Sequence, residues 1–315
     1  MMKVYRWVIL AALGWLMVVD AARAQYDVVF SHYFDMQSSF NPAATGKESK
    51  LNVNVAYAMQ MAGYEHNPQT AYASADMPIK GAGGINGLGL MLMNDKLGLF
   101  NHQRLEGQYS YHRRLGKGML GIGVQAGLLS EKFSGSELDL GDSNDPAFST
   151  SDLDGNTLDV GAGVYLKFPK WYVGLSAQHI TYPTVSLGEY NELKLDGTYY
   201  LTGGYDIQLA NPTMKIATSA LVRTDLVGYR ADITGRWIYT HDEKMMYAGI
   251  GYSPMNSVTA YVGMQFQGIV LGYSFEAYTN NIGIQHGSHE LHIGYLADID
   301  LNKKGRNRHQ SVRYL

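Results

Sequence analysis

The stretch LEGQYSYHRRL, residues 105–115, decides the fold through a two-residue alternation. One parity is apolar or small and the other is polar: Leu105, Gly107, Tyr109 and Tyr111 against Glu106, Gln108, Ser110 and His112. Successive side chains of a strand point to opposite faces, so this period predicts a β-strand between two different surroundings. A soluble sandwich would bury Val, Ile and Leu against a second sheet. A face of Tyr, Gly and Leu instead indicates contact with a medium other than a second, packed sheet.

Composition supports a β architecture that tolerates glycine. The 315 residues include 36 glycines and 24 tyrosines, but 8 prolines and no cysteine. Glycine therefore exceeds its usual share of about 7%. The lack of cysteine argues against a small secreted domain held together by disulfides.

Residues 1–24 have the features of a secretory signal peptide. Lys3 and Arg6 precede an apolar run, and a small-x-small motif ends at Ala24, which predicts cleavage before Gln25. The alternative, an N-terminal membrane anchor, is disfavoured because a spanning helix needs ~20 apolar residues. The formal net charge of −3 disfavours a nucleic-acid partner.

Fourteen segments show strand character. They are 51–61, 68–79, 85–93, 101–114, 118–133, 156–168, 170–181, 196–209, 212–224, 229–240, 244–253, 257–266, 268–279 and 287–297. Most have the ~9–11 residues that a tilted membrane strand requires. The sequence therefore predicts an all-β, transmembrane antiparallel β-barrel of about 14 strands over residues 51–298, exported to the outer membrane. A soluble periplasmic β protein is the alternative.

The connections alternate in length. Residues 116–117, 210–211 and 267 lie in short turns, whereas 134–155 and 182–195 are long. Outer-membrane barrels have short periplasmic turns and longer extracellular loops. With an even number of strands, this pattern predicts that both termini are periplasmic.

No sequence motif indicates an enzyme, a cofactor or a metal site. A nucleophile elbow, a P-loop and an HExxH motif are all missing from the sequence. His289, Glu290 and His292 could suggest zinc, but His289 falls on the opposite parity. The acidic loop 134–155 fits neither the EF-hand nor the RTX spacing, so we interpret it as a solvated surface loop, with calcium binding as the alternative.

The two ends of the mature chain carry the predictions about binding. Segment 25–50 is expected either to extend into the periplasm or to fold into the lumen as a plug. Residues 299–315 form a basic tail, whose cations are Lys303, Lys304, Arg306, Arg308 and Arg313. This tail is either an inert disordered end or an arm that docks on an acidic periplasmic partner or on cell-wall polymer.

Several stretches resemble one family, in the same order along the chain. FSHYFDMQSSFNPAATG (30–46) contains Asn41, Pro42 and Gly46; GLGLMLMNDKLG (87–98) contains Asn94, Asp95 and Gly98; GSHELHIGY (287–295) contains His289 and Glu290. Together they are similar to the PorP/SprF family, outer-membrane proteins of the Bacteroidota type IX secretion and gliding system. The chain departs from the Pro-Arg-Phe-type ending of many relatives, since it ends in Val312, Arg313, Tyr314 and Leu315.

The resemblance implies a barrel without enzymatic activity. Its implied partners are a periplasmic ring lipoprotein, an associated peptidoglycan-binding protein and, in some relatives, an exported cargo protein or adhesin. We therefore expect a docking platform in outer-membrane lipid, with the motif residues above and the basic tail as candidate contacts. The rival is a channel for small or hydrophobic solutes. A packed lumen favours the platform, whereas a continuous polar channel favours the rival.

Overall fold

The structure is a computed structural model that describes residues 27–48, 50–81, 84–137, 152–188, 191–280 and 286–299. The predicted cleavage site at Ala24 and Gln25 lies outside these residues. So do the five cations of the basic tail and most of the acidic loop. Among the described residues, no helix has the length and apolarity needed to span a bilayer.

The described residues form sixteen strands. They are β1 Lys50–Met59, β2 Gln69–Gly81, β3 Gly84–Leu97, β4 Phe100–Leu115, β5 Gly118–Phe133, β6 Leu153–Lys167, β7 Trp171–Gln178, β8 Thr184–Leu187, β9 Asn191–Lys194, β10 Thr198–Gln208, β11 Met214–Thr224, β12 Tyr229–His241, β13 Lys244–Ser253, β14 Ser257–Phe266, β15 Ile269–Tyr278 and β16 Ser288–Asp298. Fourteen of them form one closed barrel, and β8 and β9 form a separate hairpin.

The barrel closes where its first and last strands meet. β1 pairs antiparallel with β16, from Lys50 opposite Asp298 to Met59 opposite His289. Every other neighbouring pair in the barrel is also antiparallel, and β7 pairs with β10 across the β8–β9 insertion. The predicted antiparallel barrel of about fourteen strands is confirmed. Closure gives every barrel strand a neighbour on both sides, which is the condition for a sheet to lie within hydrocarbon.

The alternating residues of the sequence lie on the outward and inward faces of the barrel wall. On β4, Leu105 and Tyr109 are 42% and 45% exposed, whereas Glu106 and Gln108 are 1% and 5% exposed. The same pattern holds on β13, where Ile250 is exposed and Tyr247 is buried. The outer wall is thus apolar and the lumen is lined by polar and small residues, the reverse of a sandwich core.

Two loops differ from the sequence prediction. Residues 94–97 continue β3, because Asp95 accepts a hydrogen bond from Thr70 of β2 at 2.7 Å and Asn94 accepts one from Gln103 of β4 at 3.0 Å. The connection to β4 is therefore only a tight turn at Gly98, whose φ is +60°. Loop 182–195 contains the β8–β9 hairpin, whose Val185 and Leu187 are buried against Leu129 of β5.

The two ends of the barrel differ. We call the end with the β4–β5, β6–β7 and β12–β13 turns the turn end, and the opposite end, with the β5–β6 and β7–β10 connections, the loop end. Lys50 and Asp298 form an ion pair of 3.1 Å at the turn end, where the barrel strands begin and finish.

Candidate functional site

Residues 27–48, here called the luminal segment, lie inside the ring of strands. They contact inward-facing side chains of β2, β4, β6, β11 and β16, which lie all around the barrel. The segment contains two short 3-10 helices, Gln37–Ser39 and Pro42–Ala44. It runs from Asp27 near the loop end to Glu48 at the turn end. The segment therefore fills the lumen along most of its length.

Asn41 starts the second of these helices and joins it to the wall. Its Oδ1 accepts a hydrogen bond from the Ala43 amide at 3.0 Å, which caps the helix, while Pro42 occupies the first helical position. Its Nδ2 donates to the carbonyl oxygen of Val164 on β6 at 3.2 Å. One buried side chain thus determines both the local turn and its position in the barrel.

Inward-facing glycines of the wall, here called the glycine cradle, admit the backbone of residues 41–46. A Cβ on Gly121 would lie 2.7 Å from the carbonyl oxygen of Ala43. A Cβ on Gly123 or Gly163 would overlap Pro42–Ala43 or the Asn41 side chain even more closely. Since real Cβ atoms do not make such contacts, these wall positions must be glycine for the luminal segment to fit.

Gly46 completes this close approach from the side of the luminal segment. Its φ is +66°, in the left-handed region that favours glycine, and a Cβ there would lie 2.5 Å from the Cα of Gly87 on β3. Its amide donates a hydrogen bond to Asp76 of β2 at 2.8 Å. The sequence candidates Asn41, Pro42 and Gly46 therefore all act in seating the luminal segment.

Glu290 of β16 holds the first part of the luminal segment, at Ser31 and His32. Its carboxylate accepts hydrogen bonds from the amides of Ser31 at 2.5 Å and His32 at 2.9 Å, and its Oε1 lies 2.7 Å from His32 Nδ1. Both His32 and Glu290 are buried. Three contacts from one buried carboxylate make Glu290 a strong attachment point for the luminal segment.

Asp27 lies in a buried network of charged and polar groups near the loop end. Its Oδ1 is 2.9 Å from His179 Nε2, its Oδ2 accepts from Tyr200 at 2.7 Å, and its carbonyl oxygen accepts from Arg223 at 3.0 Å. On its far side, His179 Nδ1 is 2.9 Å from Asp159. We call these five residues the Asp27 cluster.

The cluster shifts the pKa values of Asp27 and His179. Burial disfavours charge on both, but the pairing outweighs it: the nearby charges and hydrogen bond of His179 lower the pKa of Asp27. In return, Asp27 and Asp159 raise the pKa of His179 to about 9. Arg104, which pairs with Glu106 at 2.6 Å, adds a further cation 3.6 Å from Asp27.

An aromatic cluster packs the luminal segment against tyrosines of the barrel wall. Phe34 and Phe40 are buried with Tyr200, Tyr247 and Tyr261. The Arg236 guanidinium lies 3.4 Å from the centre of the Phe34 ring, a cation–π contact. Tyr33 reaches Ser219 and Thr234 at 3.1 Å each. Apolar packing therefore adds to the polar attachments at Asp27, Glu290 and Asn41.

The other sequence candidates lie in different places. Asp95 and Asn94 pair adjacent strands, and Gly98 forms a turn with no atom near its missing Cβ. His289 faces outward and pairs with Tyr273 at 2.7 Å. Its neighbour Glu290 faces the lumen, so only one member of this candidate pair contacts the luminal segment.

The sequence analysis did not identify the Asp27 cluster. Asp159 of this cluster and the adjacent pair Arg104 and Glu106 have inward parity on their strands, which was a usable signal of burial. The pairing of Asp27 with His179 could not be seen in the sequence, because these two residues are 152 positions apart. In the described part of the chain, no group of three or more His, Cys, Asp or Glu side chains is arranged to hold a metal ion.

At the turn end, the luminal segment finishes beside a basic opening. Lys47 donates to Gln37 and lies over the Tyr165 ring, and Lys167 forms an ion pair with Glu48. Burial lowers the pKa of Lys47 to about 8, so it remains largely protonated at neutral pH. Burial opposes ionisation of Glu48, but the charges of Lys47 and Lys167 lower its pKa overall. These groups are therefore charged where the lumen meets the turn end.

A closed antiparallel barrel with an apolar outer wall and a polar lumen is a β-barrel membrane protein. Its lumen is occupied by its own chain, which is attached to the wall at Asp27, Glu290 and Asn41. Comparison with known families agrees with this class. The chain belongs to the PorP/SprF family, type IX secretion system membrane proteins, whose family model matches residues 22–295.

Solved structures share the fold at low sequence identity. CymD, a monoaromatic hydrocarbon channel, is 11% identical and aligns over 84% of this chain and 93% of its own, with a TM-score of 0.50. The Pseudomonas putida toluene transporter TodX is 10% identical over 87% and 95% of the two chains, with a TM-score of 0.49. Such likeness concerns the fold alone. No curated protein matches the chain.

Proposed function

We propose that this protein is a non-enzymatic outer-membrane component of the type IX secretion machinery. It anchors a docking platform for periplasmic ring subunits, and it supports the export or surface attachment of cargo proteins. Family membership supports the secretion assignment. The apolar outer wall provides the anchor, since lipid-facing apolar strands hold a barrel in the bilayer.

The filled lumen is the observation that carries the docking role. A conduit for protein or solute would need a continuous open path. Here residues 27–48 occupy the interior and are tied to the wall at Asp27, Glu290 and the glycine cradle. Removing the segment would break buried hydrogen bonds and ion pairs in several strands at once, each of which is costly to leave unpaired.

We further propose that the turn end faces the periplasm and the loop end faces outside. Short turns on the periplasmic side are the rule for outer-membrane barrels. The tail that begins after β16 would then enter the periplasm, where its cations could contact a ring lipoprotein or a peptidoglycan-binding protein.

A channel for hydrophobic solutes is the second candidate, and a groove in the outer wall favours it. The groove has a volume of about 660 Å³ and lies over the small side chains Ala71 and Ala73, between Tyr57 and Leu105. Arg104 and Tyr72, whose side chains point inward, also line it. A solute could therefore approach the wall here from the hydrocarbon phase.

Cross-linking in intact cells, followed by mass spectrometry, tests the platform. The full chain and a form lacking residues 302–315 would be compared at equal abundance in the membrane. We expect secretion subunits to be recovered with the full chain, and in lower yield with the truncated form. Recovery of lipids or sugars without any secretion subunit would contradict the platform.

Uptake of a radiolabelled aromatic hydrocarbon into cells or vesicles that contain the protein tests the second candidate. The platform predicts uptake no faster than in vesicles without protein. Replacement of Ala71 by Trp fills the groove while leaving the lumen unchanged. Uptake that this substitution abolishes would establish the channel instead.

A further inference from the structure

A cationic pocket opens at the turn end of the barrel, beside the last residues of the luminal segment. Its volume is about 360 Å³. Four cations and a single carboxylate line it, and they are Lys47, Arg114, Lys117, Lys167 and Glu48. We call this site the basic mouth pocket. Such an excess of positive charge around one concave site attracts anions.

The basic mouth pocket lies where the luminal segment ends, at the mouth of the lumen. Gly46 of the luminal segment and His112, on the inward-facing row of β4, form part of its lining, and both are buried. Arg114 and Lys167 continue the inward-facing rows of β4 and β6. A ligand would therefore enter from the mouth of the lumen, whereas lipid headgroups surround the outside of the barrel.

Two of the cations are available for a ligand. Lys47 and Lys167 already contact Gln37 and Glu48. In the part of the chain that the structure describes, Arg114 and Lys117 have no carboxylate within ion-pair distance, and both are exposed. Their charge is therefore not neutralised locally, and an incoming carboxylate would meet little competition.

The volume of the pocket suits side chains of a peptide. It equals roughly a dozen water molecules at about 30 Å³ each. One or two carboxylate side chains fit such a space. Phe168 and Pro169 of the β6–β7 turn form an apolar side of the pocket, which could contact the methylene groups of an acidic side chain.

We propose that the basic mouth pocket binds an acidic peptide segment of a partner protein. This inference rests on the proposed docking function and names the chemistry of the partner at this end. The segment presents Asp or Glu side chains to Arg114 and Lys117, with Lys167 as a third cation. Binding is expected to weaken as ionic strength rises, because salt screens exposed charges.

Fluorescence anisotropy of a fluorescein-labelled hexaglutamate peptide tests the site with the purified full-length protein in non-ionic detergent. The variant K117E/K167E reverses two pocket charges. K244E reverses a charge at the same end but in the β12–β13 region, outside the pocket. K117Q, a neutral change in an exposed turn, is the milder second variant that preserves folding. Heat-modifiable migration on a gel confirms that each variant is folded.

The double reversal should weaken hexaglutamate binding roughly tenfold or more, K117Q should weaken it less, and K244E should change it by less than about twofold. Equal weakening by K244E and by the double reversal would overturn the inference, because it would show only general attraction to a basic end. Competition by inorganic phosphate or by short-chain phosphatidylglycerol at the potency of hexaglutamate would also overturn it, in favour of a small-anion or lipid-headgroup site.

The result is separable from the test of the proposed function. If cells yield cross-links to secretion subunits but the purified protein does not bind hexaglutamate, the docking function stands and this site is wrong. If the peptide binds in the pocket but no secretion subunit is cross-linked, the pocket stands and the docking function fails.

Discussion

Glu290, on the last strand of the barrel, accepts a hydrogen bond from the backbone amide of His32, 258 positions earlier in the chain. This contact joins the two ends of the described sequence across the interior. It also shows how the luminal segment is held: the polar inner face of the wall provides acceptors for backbone groups that would otherwise be unpaired inside the barrel.

Replacement of Glu290 by Ala should release the first part of the luminal segment. The amides of Ser31 and His32 would lose their acceptor while remaining buried, which should cost about 3 kcal/mol. A lower urea midpoint and faster proteolysis within residues 27–48 would report this loss. His289→Ala is the matched control, since His289 lies next in the chain but faces outward. Equal sensitivity of both variants would contradict the attachment.

The glycine cradle predicts that adding a single methyl group to one of its glycines destabilises the folded protein. Gly123→Ala would place a Cβ against the backbone of Pro42 and Ala43, so we expect destabilisation of about 1–3 kcal/mol from overpacking. Gly235→Ala, on a wall strand where no atom lies within 4 Å of the added Cβ, should be neutral. The temperature at which each variant loses its compact gel migration measures the difference. A neutral Gly123→Ala would show that the luminal segment is not seated there.

The Asp27 cluster predicts that the luminal segment loosens at alkaline pH. The pKa of His179 is about 9 in the folded protein and 6.5 without its partners, so its stabilising contribution is complete below about pH 6.5 and is lost as the pH rises through 9. The lowered pKa of Asp27 leaves its own contribution intact throughout this range.

Proteolysis of the luminal segment between pH 6 and 10 checks this dependence, with Asp27→Asn as the comparison. The wild type should be protected at pH 6 and become more sensitive near pH 9. Asp27→Asn removes the main partner of His179, so its sensitivity should vary less with pH. A wild-type profile that stays flat across this range would rule out the His179 contribution.

The apolar outer wall predicts that a charged side chain on the lipid-facing part of a strand destabilises the barrel. Leu90, in the middle of β3, is 52% exposed on the lipid-facing side. Leu90→Arg should cost about 2–4 kcal/mol in a bilayer, because an arginine near the midplane loses its hydration. Leu226, in the β11–β12 connection, is 73% exposed, but Leu226→Arg should be tolerated. Folding yield into lipid vesicles compares the two variants, and equal yields would argue against a membrane belt.

The absence of cysteine in the sequence allows the orientation to be tested directly. Met255→Cys places a thiol in the β13–β14 connection at the loop end, and Asp242→Cys places one at the turn end. A membrane-impermeant maleimide should label Met255→Cys in whole cells, and Asp242→Cys only after the outer membrane is permeabilised. The opposite pattern would reverse the proposed orientation.

Much of the wall could be predicted from the sequence. The parity of Leu105 and Tyr109 against Glu106 and Gln108 separates outside from inside, because side-chain direction in a strand depends only on position along the chain. The fourteen barrel strands therefore follow closely from the pattern. Residues 94–97 were missed because their polar side chains resemble a loop until cross-strand partners such as Thr70 are known.

The sequence by itself thus determined a barrel wall with an apolar outside, since a local two-residue period suffices for that. Only the tertiary structure decided what fills the lumen. The contacts of Asp27 with His179 and of Glu290 with His32 join positions far apart in the chain, and they form only when closure brings every inner face around one space. The same closure explains Gly123, which in the sequence is merely small but in the barrel makes room for the backbone of the luminal segment.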